Sequence, residues 1–357
     1  MKKYKILIIL FCSGFFQNIC AQKFLYDVDF VTYFDNREYH SELQKSKTVF
    51  GMRLSPEIGI GLGDSLGGTH RVMAGASYIQ PFGAYWESAR VYPTIYYEYC
   101  QKGFTASLGA VPYSHMFHAL PDYLMSDSMA YAYPNIQGAL FQYVSKWGFA
   151  EFLCDWRGME SSDTREAFRL IVDGRFNYKW FLAGGYAQMN HLANKSDDQP
   201  NLGVCDDIYL NPFVGVDFSN KTPLDSLSFQ VGYILGLQRD RKRELSYVPQ
   251  GCKIDLFLRW RFLGLQNSFY VGNNLMPLYA ECGTLLNQGN PFYQAQVYNR
   301  TDVFIYIIRR SFVNCYFSWN FHYTQGDKLS HQQQLIVRFN LDGLKHRNTK
   351  LRGVFDK

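Results

Sequence analysis

Lys253-Ile254-Asp255-Leu256-Phe257-Leu258-Arg259-Trp260-Arg261-Phe262 puts apolar side chains at Ile254, Leu256, Leu258, Trp260 and Phe262. Lys253, Asp255, Phe257, Arg259 and Arg261 stand between them. A period of two is the mark of a strand with one apolar and one polar face. The unit recurs about sixteen times between Val28 and Leu341, at 28–36, 48–62, 70–81, 90–100, 104–113, 135–146, 149–158, 165–178, 180–190, 207–219, 226–238, 253–263, 267–274, 302–309, 312–323 and 332–341. The breaks alternate short and long. Short ones are Gln101-Lys102-Gly103, Lys146-Trp147-Gly148 and Gly264-Leu265-Gln266; long ones are 40–47, 116–134, 191–205, 239–251 and 275–300. Many alternating strands with this rhythm predict an all-β, closed antiparallel transmembrane β-barrel of about 16 strands, with 14 and 18 as alternatives. Short turns then face the periplasm and long loops face outward.

Composition agrees. No later stretch approaches the ~20 consecutive apolar residues of a spanning helix. Mean hydropathy is slightly negative, since every second strand residue faces water. Aromatic residues reach 17%, with 27 Tyr and 29 Phe, enough to furnish the girdles that barrels place at both membrane interfaces. Residues 1–21 read as a secretory signal peptide: Lys2, Lys3 and Lys5, then an apolar run from Ile6 to Phe16, then Ala21 before the cut. Residues 22–341 form the predicted barrel, and 342–357 a basic periplasmic tail carrying Lys345, His346, Arg347, Lys350 and Arg352. Removing the three signal lysines takes the formal charge from +5 to +2, which gives no reason to expect nucleic acid. Expected partners are outer-membrane lipid and small hydrophilic solutes, with a homo-oligomer left open.

Strand parity separates the two faces. Arg53, Glu57, Glu151, Asp155, Arg157, Arg169, Arg175, Arg259, Arg261 and Arg338 fall on the inward parity and are the expected pore lining. A hydrated pore needs such walls; a filled barrel would instead pair the same charges with one another. A barrel of about sixteen strands is wide enough for an aqueous channel. No CxxC or His/Cys spacing suggests a metal, and no cofactor is expected. Cys205, Cys252 and Cys282 lie in or beside long loops, so a disulfide between two of them is open. His40-Ser41, His191, His322 and Ser330-His331 supply isolated pieces of a hydrolase site and no assembled one. The sequence reading is therefore that the chain is not an enzyme.

On these features the chain resembles the porin superfamily of Gram-negative outer membranes. The stretches Phe34-Asp35-Asn36-Arg37-Glu38-Tyr39 and Phe50-Gly51-Met52-Arg53-Leu54-Ser55-Pro56-Glu57 also look like a pattern of uncharacterised barrels of this class. The resemblance implies an outer-membrane channel for passive diffusion of small hydrophilic solutes. It also implies that the third long loop, 116–134, folds inward as the constriction. That loop carries His118, Asp122, Asp127 and Tyr131, with Arg157, Arg169 and Arg175 on the nearby wall. Many such barrels end on an aromatic residue, whereas here Phe339 is followed by the basic tail. The alternatives are a ligand-specific channel with Tyr96, Tyr186 and Tyr270 as an aromatic track, a structural or partner-binding barrel with a blocked lumen, and a barrel enzyme.

Overall fold

The computed structural model describes residues 23–195 and 203–343. The signal peptide and nearly all of the basic tail lie outside the described residues. Seventeen strands form one antiparallel sheet, and sixteen of them make the wall. The exception is β12 (Leu245–Tyr247), which only extends the hairpin beyond β11 (Ser226–Asp240). The sheet closes on itself. The first strand, β1 (Lys23–Glu38), pairs with β2 (Lys47–Gly63) on one side and with β17 (Ser330–Asp342) on the other, from Asp27 opposite Asp342 to Glu38 opposite His331. Closure removes both sheet edges, so every wall strand can satisfy its backbone without water.

Tight turns gather at one end. Between β4 (Arg90–Gln101) and β5 (Phe104–Pro112), Lys102 and Gly103 both take left-handed φ values, 47° and 85°, the geometry that lets two residues reverse a twisted hairpin. The sequence reading placed another turn wrongly. It expected Gly264-Leu265-Gln266 to break the chain, but the turn is Arg261-Phe262, with Arg261 at φ 54° between β13 (Gln250–Trp260) and β14 (Leu263–Gly272). Gly264 sits inside β14 opposite Arg259. The Phe304 ring fills the space beside it, and an added Cβ would lie 2.1 Å from that ring. The glycine marks close ring packing and not a turn. Arg261 is accordingly exposed at the turn and does not line the interior.

The outward parity forms the lipid face. Val303, Ile305, Ile307, Trp319 and Leu335 are exposed on the isolated chain, and a continuous apolar band of this kind is stable only in a membrane. Leu256→Arg or Ile305→Arg is therefore expected to lower stability by about 2–4 kcal/mol or to block assembly. Arg259→Ala, on the inward parity, should still assemble. Heat-modifiability on a gel checks the pair, and equal tolerance at both parities would contradict the register.

The interior is occupied. Many inward wall residues are apolar and almost wholly buried, among them Tyr96, Ile136, Leu140, Leu153, Tyr209 and Tyr270. A water-filled lumen would leave them wet. They are covered by two long-loop segments that fold in: 113–134, with the short helix α1 (Asp127–Ala132), and 273–296, with α2 (Tyr279–Leu286).

Candidate functional site

The first inward segment is anchored by polar contacts to the wall and by apolar packing at its centre. Its backbone at Phe117 donates to Glu151 at 2.9 Å, and Tyr113 donates to Asp155 at 2.6 Å. Arg169, fully buried, donates to Tyr113 and lies 3.8 Å from Asp155. Tyr123 donates to Asn211 at 3.0 Å, and the Tyr131 ring stacks on Tyr33 with centroids 4.2 Å apart.

Helix α1 presents Asp127 to Arg300, which stands on β15 (Val297–Arg309). Arg300 reaches Asp302 at 2.8 Å, Asp127 at 3.3 Å and Asp122 at 3.8 Å. Gln332 and Gln334 also donate to Asp127, at 3.3 and 3.2 Å, while Arg37 donates to Ser128 at 2.7 Å and pairs with Asp35 at 2.6 Å. Buried charges are tolerated when each is paired and hydrogen-bonded, and this cluster meets that condition.

The second segment closes over the first. Asn290 N–H donates to the Asp122 carbonyl at 2.7 Å, Ser126 N–H to the Gln288 carbonyl at 2.8 Å, and Tyr293 to the Asp122 carboxylate at 2.8 Å. Tyr209 donates to the Leu275 carbonyl, tying this segment to the wall as well.

Burial raises the Asp127 carboxyl pKa, but Arg300 and Arg37 outweigh that and hold it below its ordinary value. A depressed folded-state pKa stabilises docking above the unfolded value of about 3.9 and stops doing so as pH falls through the folded one. Protease protection of 116–134 should be flat from neutral pH down to about 4 and fall below that. Protection independent of pH down to the acid limit would contradict the role of Asp127.

The expected pore lining is thus mostly paired. Arg53 and Arg338 share Asp29, at 3.3 and 2.6 Å. Glu57 accepts from Tyr96 at 3.0 Å, and Arg175 donates to Gln230 at 3.2 Å. Arg157 donates to Asn190 at 3.4 Å, and Arg259 to Ser226 at 3.1 Å. Asp122 and Asp127 face Arg300, not Arg157, Arg169 and Arg175 as the sequence suggested. Pockets beside the inward segments include ones of about 120 and 90 Å³, and His118 lines both.

Outside the wall, at the long-loop end, an acid and a base meet. His191 lies on the outward parity of β9 (Phe181–Leu192), and Asp206 lies beside it on β10 (Cys205–Asp217), directly opposite in register. The His191 Nδ1 is 2.8 Å from an Asp206 oxygen. Arg241 also holds Asp206, donating through Nε at 2.8 Å and Nη2 at 3.1 Å. The Phe168 ring stacks on His191, and Trp156 stacks on Phe168, with centroids 4.9 and 5.2 Å apart. Arg239, opposite Asp206, is exposed, and Lys242 and Arg243 follow close by. Among the described residues, His70 meets Tyr97 and Asp64, His115 lies 4.0 Å from Glu98, His322 meets Tyr298 and Gln332, and His331 meets Gln333.

Asp206 was missed because the sequence reading began this strand at Asp207 and left its neighbour in the loop. The usable signal was hairpin symmetry, with a histidine and an aspartate on the same parity at either side of one connection.

In solved structures the closed antiparallel barrel is shared with outer-membrane porins of Pseudomonas aeruginosa. Pseudomonas aeruginosa OpdL superposes with a TM-score of 0.54 at 11% identity, covering 89% of this chain and 99% of that one. P. aeruginosa OccK5 (OpdH) gives 0.54 at 8% identity over 89% and 98%, and P. aeruginosa OprD gives 0.53 at 9% over 89% and 95%. At such identities the likeness is one of fold alone. No curated protein sequence matches. The class is therefore a closed antiparallel β-barrel with an apolar lipid-facing band, here with a filled interior. The family model described as lipid A 3'-O-deacylase-type matches residues 16–350, and the chain belongs to that family. This match corrects the expectation that the chain is not an enzyme, because the family bears the name of one.

Proposed function

We propose that this barrel hydrolyses an acyl ester of lipid A in the leaflet that meets its long-loop end. Family membership supplies the reaction class. The observation that carries the placement is the His191–Asp206 pair, on the lipid-facing side of the wall where ester linkages of a membrane lipid would lie. Asp206 accepts from Nδ1–H and orients the ring, which leaves Nε2 as the general base. A water hydroxyl attacks the acyl carbon as Nε2 takes its proton. The imidazolium then returns that proton to the departing sugar oxygen, so free fatty acid and a sugar hydroxyl result. Arg239, Arg241, Lys242 and Arg243 flank the pair with positive charge suited to lipid A phosphates. The interior supports the same reading. A diffusion channel needs a continuous aqueous path, and both inward segments would have to leave before this lumen offered one.

The direct test is fatty-acid release from purified lipid A by the detergent-solubilised barrel. Asp206→Asn should assemble and release fatty acid far more slowly. Equal release by both would remove the pair from the reaction, and no release by the unaltered protein would remove the reaction itself.

A further inference from the structure

We propose that Cys205 and Cys282 form a disulfide that staples the second inward segment to the barrel wall. Cys205 is the first residue of β10 and points inward. Cys282 lies on α2, just before Gly283, where φ is 52° and the helix kinks. Their sulfurs are 3.5 Å apart, and both residues are buried.

The two sit in a small apolar cluster with Ala167, Leu192, Leu278 and Leu286, separate from the two larger clusters. An S–S bond is about 2.05 Å long, so the two sulfurs need to approach by only about 1.5 Å to bond. Among the described residues the other cysteines are not so placed. Cys252 is exposed, and Cys100 lies beside Glu98 and Thr105.

An outer-membrane protein crosses an oxidising compartment on its way out, where such a pair is converted. Each thiol gives up its proton, and the pair gives up two electrons as the S–S bond forms. An oxidising protein disulfide met during export takes up both electrons and both protons and becomes a dithiol. Without this bond, α2 is held to the wall only by non-covalent contacts. With it, two points 77 positions apart in the chain are joined, and the segment cannot lift from β10.

The experiment uses the full chain isolated from membranes and denatured with an alkylating reagent present, followed by peptide mapping. A Cys205–Cys282 linked peptide, two hydrogens lighter than the dithiol and lost on prior reduction, is expected as the main species. Alkylated Cys205 and Cys282 without reduction, or either one linked to another cysteine, would overturn the proposal. The staple is read separately in the assembled barrel. Reduction should raise proteolysis within 273–296 several-fold, and Cys282→Ser should show the raised rate without reductant. A rate indifferent to reduction would show that the bond holds nothing in place.

Discussion

His191→Ala is expected to slow lipid A ester hydrolysis by about 100- to 10,000-fold, the usual cost of losing a general base, while the barrel still assembles. The ring makes one polar contact, to Asp206, and stacks on Phe168 near the rim. Its removal touches neither the sheet hydrogen bonds nor the interior clusters. His191→Gln would keep a polar group there without supplying a base, and should be as slow as alanine. The check is the initial rate of fatty-acid release, with heat-modifiability as the folding control. A variant retaining most of the rate would move the chemistry elsewhere on the barrel.

Arg300→Ala is expected to release the first inward segment. The guanidinium stands among Asp122, Asp127 and Asp302, and deleting it leaves carboxylates buried without their cation. Breaking a buried ion pair by removing one partner costs about 3–5 kcal/mol. That cost falls on a docked segment and not on a sheet held by sixteen ladders, so the loss should be local. Segment 116–134 should become protease-sensitive while the barrel remains heat-modifiable. Planar-bilayer recordings should show ion conductance larger than that of the unaltered protein. Arg300→Lys, which keeps the charge but loses the planar fork, should fall between them. Full protection of the segment in Arg300→Ala would mean that apolar packing around Tyr123 and Leu124 suffices to hold it.

The wall was legible because a strand half in lipid and half in polar contact writes its period into the sequence. Ile254, Leu256 and Leu258 against Lys253 and Asp255 read directly as a strand with one apolar and one polar face. The contents of the lumen were less legible. The apolar residues of 116–134 pointed inward, yet the same signal in 275–300, with Leu275, Met276, Leu286 and Phe292, passed as loop length alone. Arg300 escaped because its strand was begun at Asp302. Its three carboxylate partners lie on a helix, a loop and its own strand, and no spacing in one chain encodes that meeting. The outward pair was hidden for a related reason: His191 and Asp206 are fifteen positions apart in sequence and become neighbours only through hairpin register.

The most direct measurement is mass spectrometry of lipid A extracted from Gram-negative cells that carry the barrel and from cells that lack it. The account predicts a lipid A species short by one ester-linked acyl chain in the first and absent from the second, and absent also with His191→Ala. Identical lipid A spectra from cells in which the barrel is assembled in the outer membrane would contradict it.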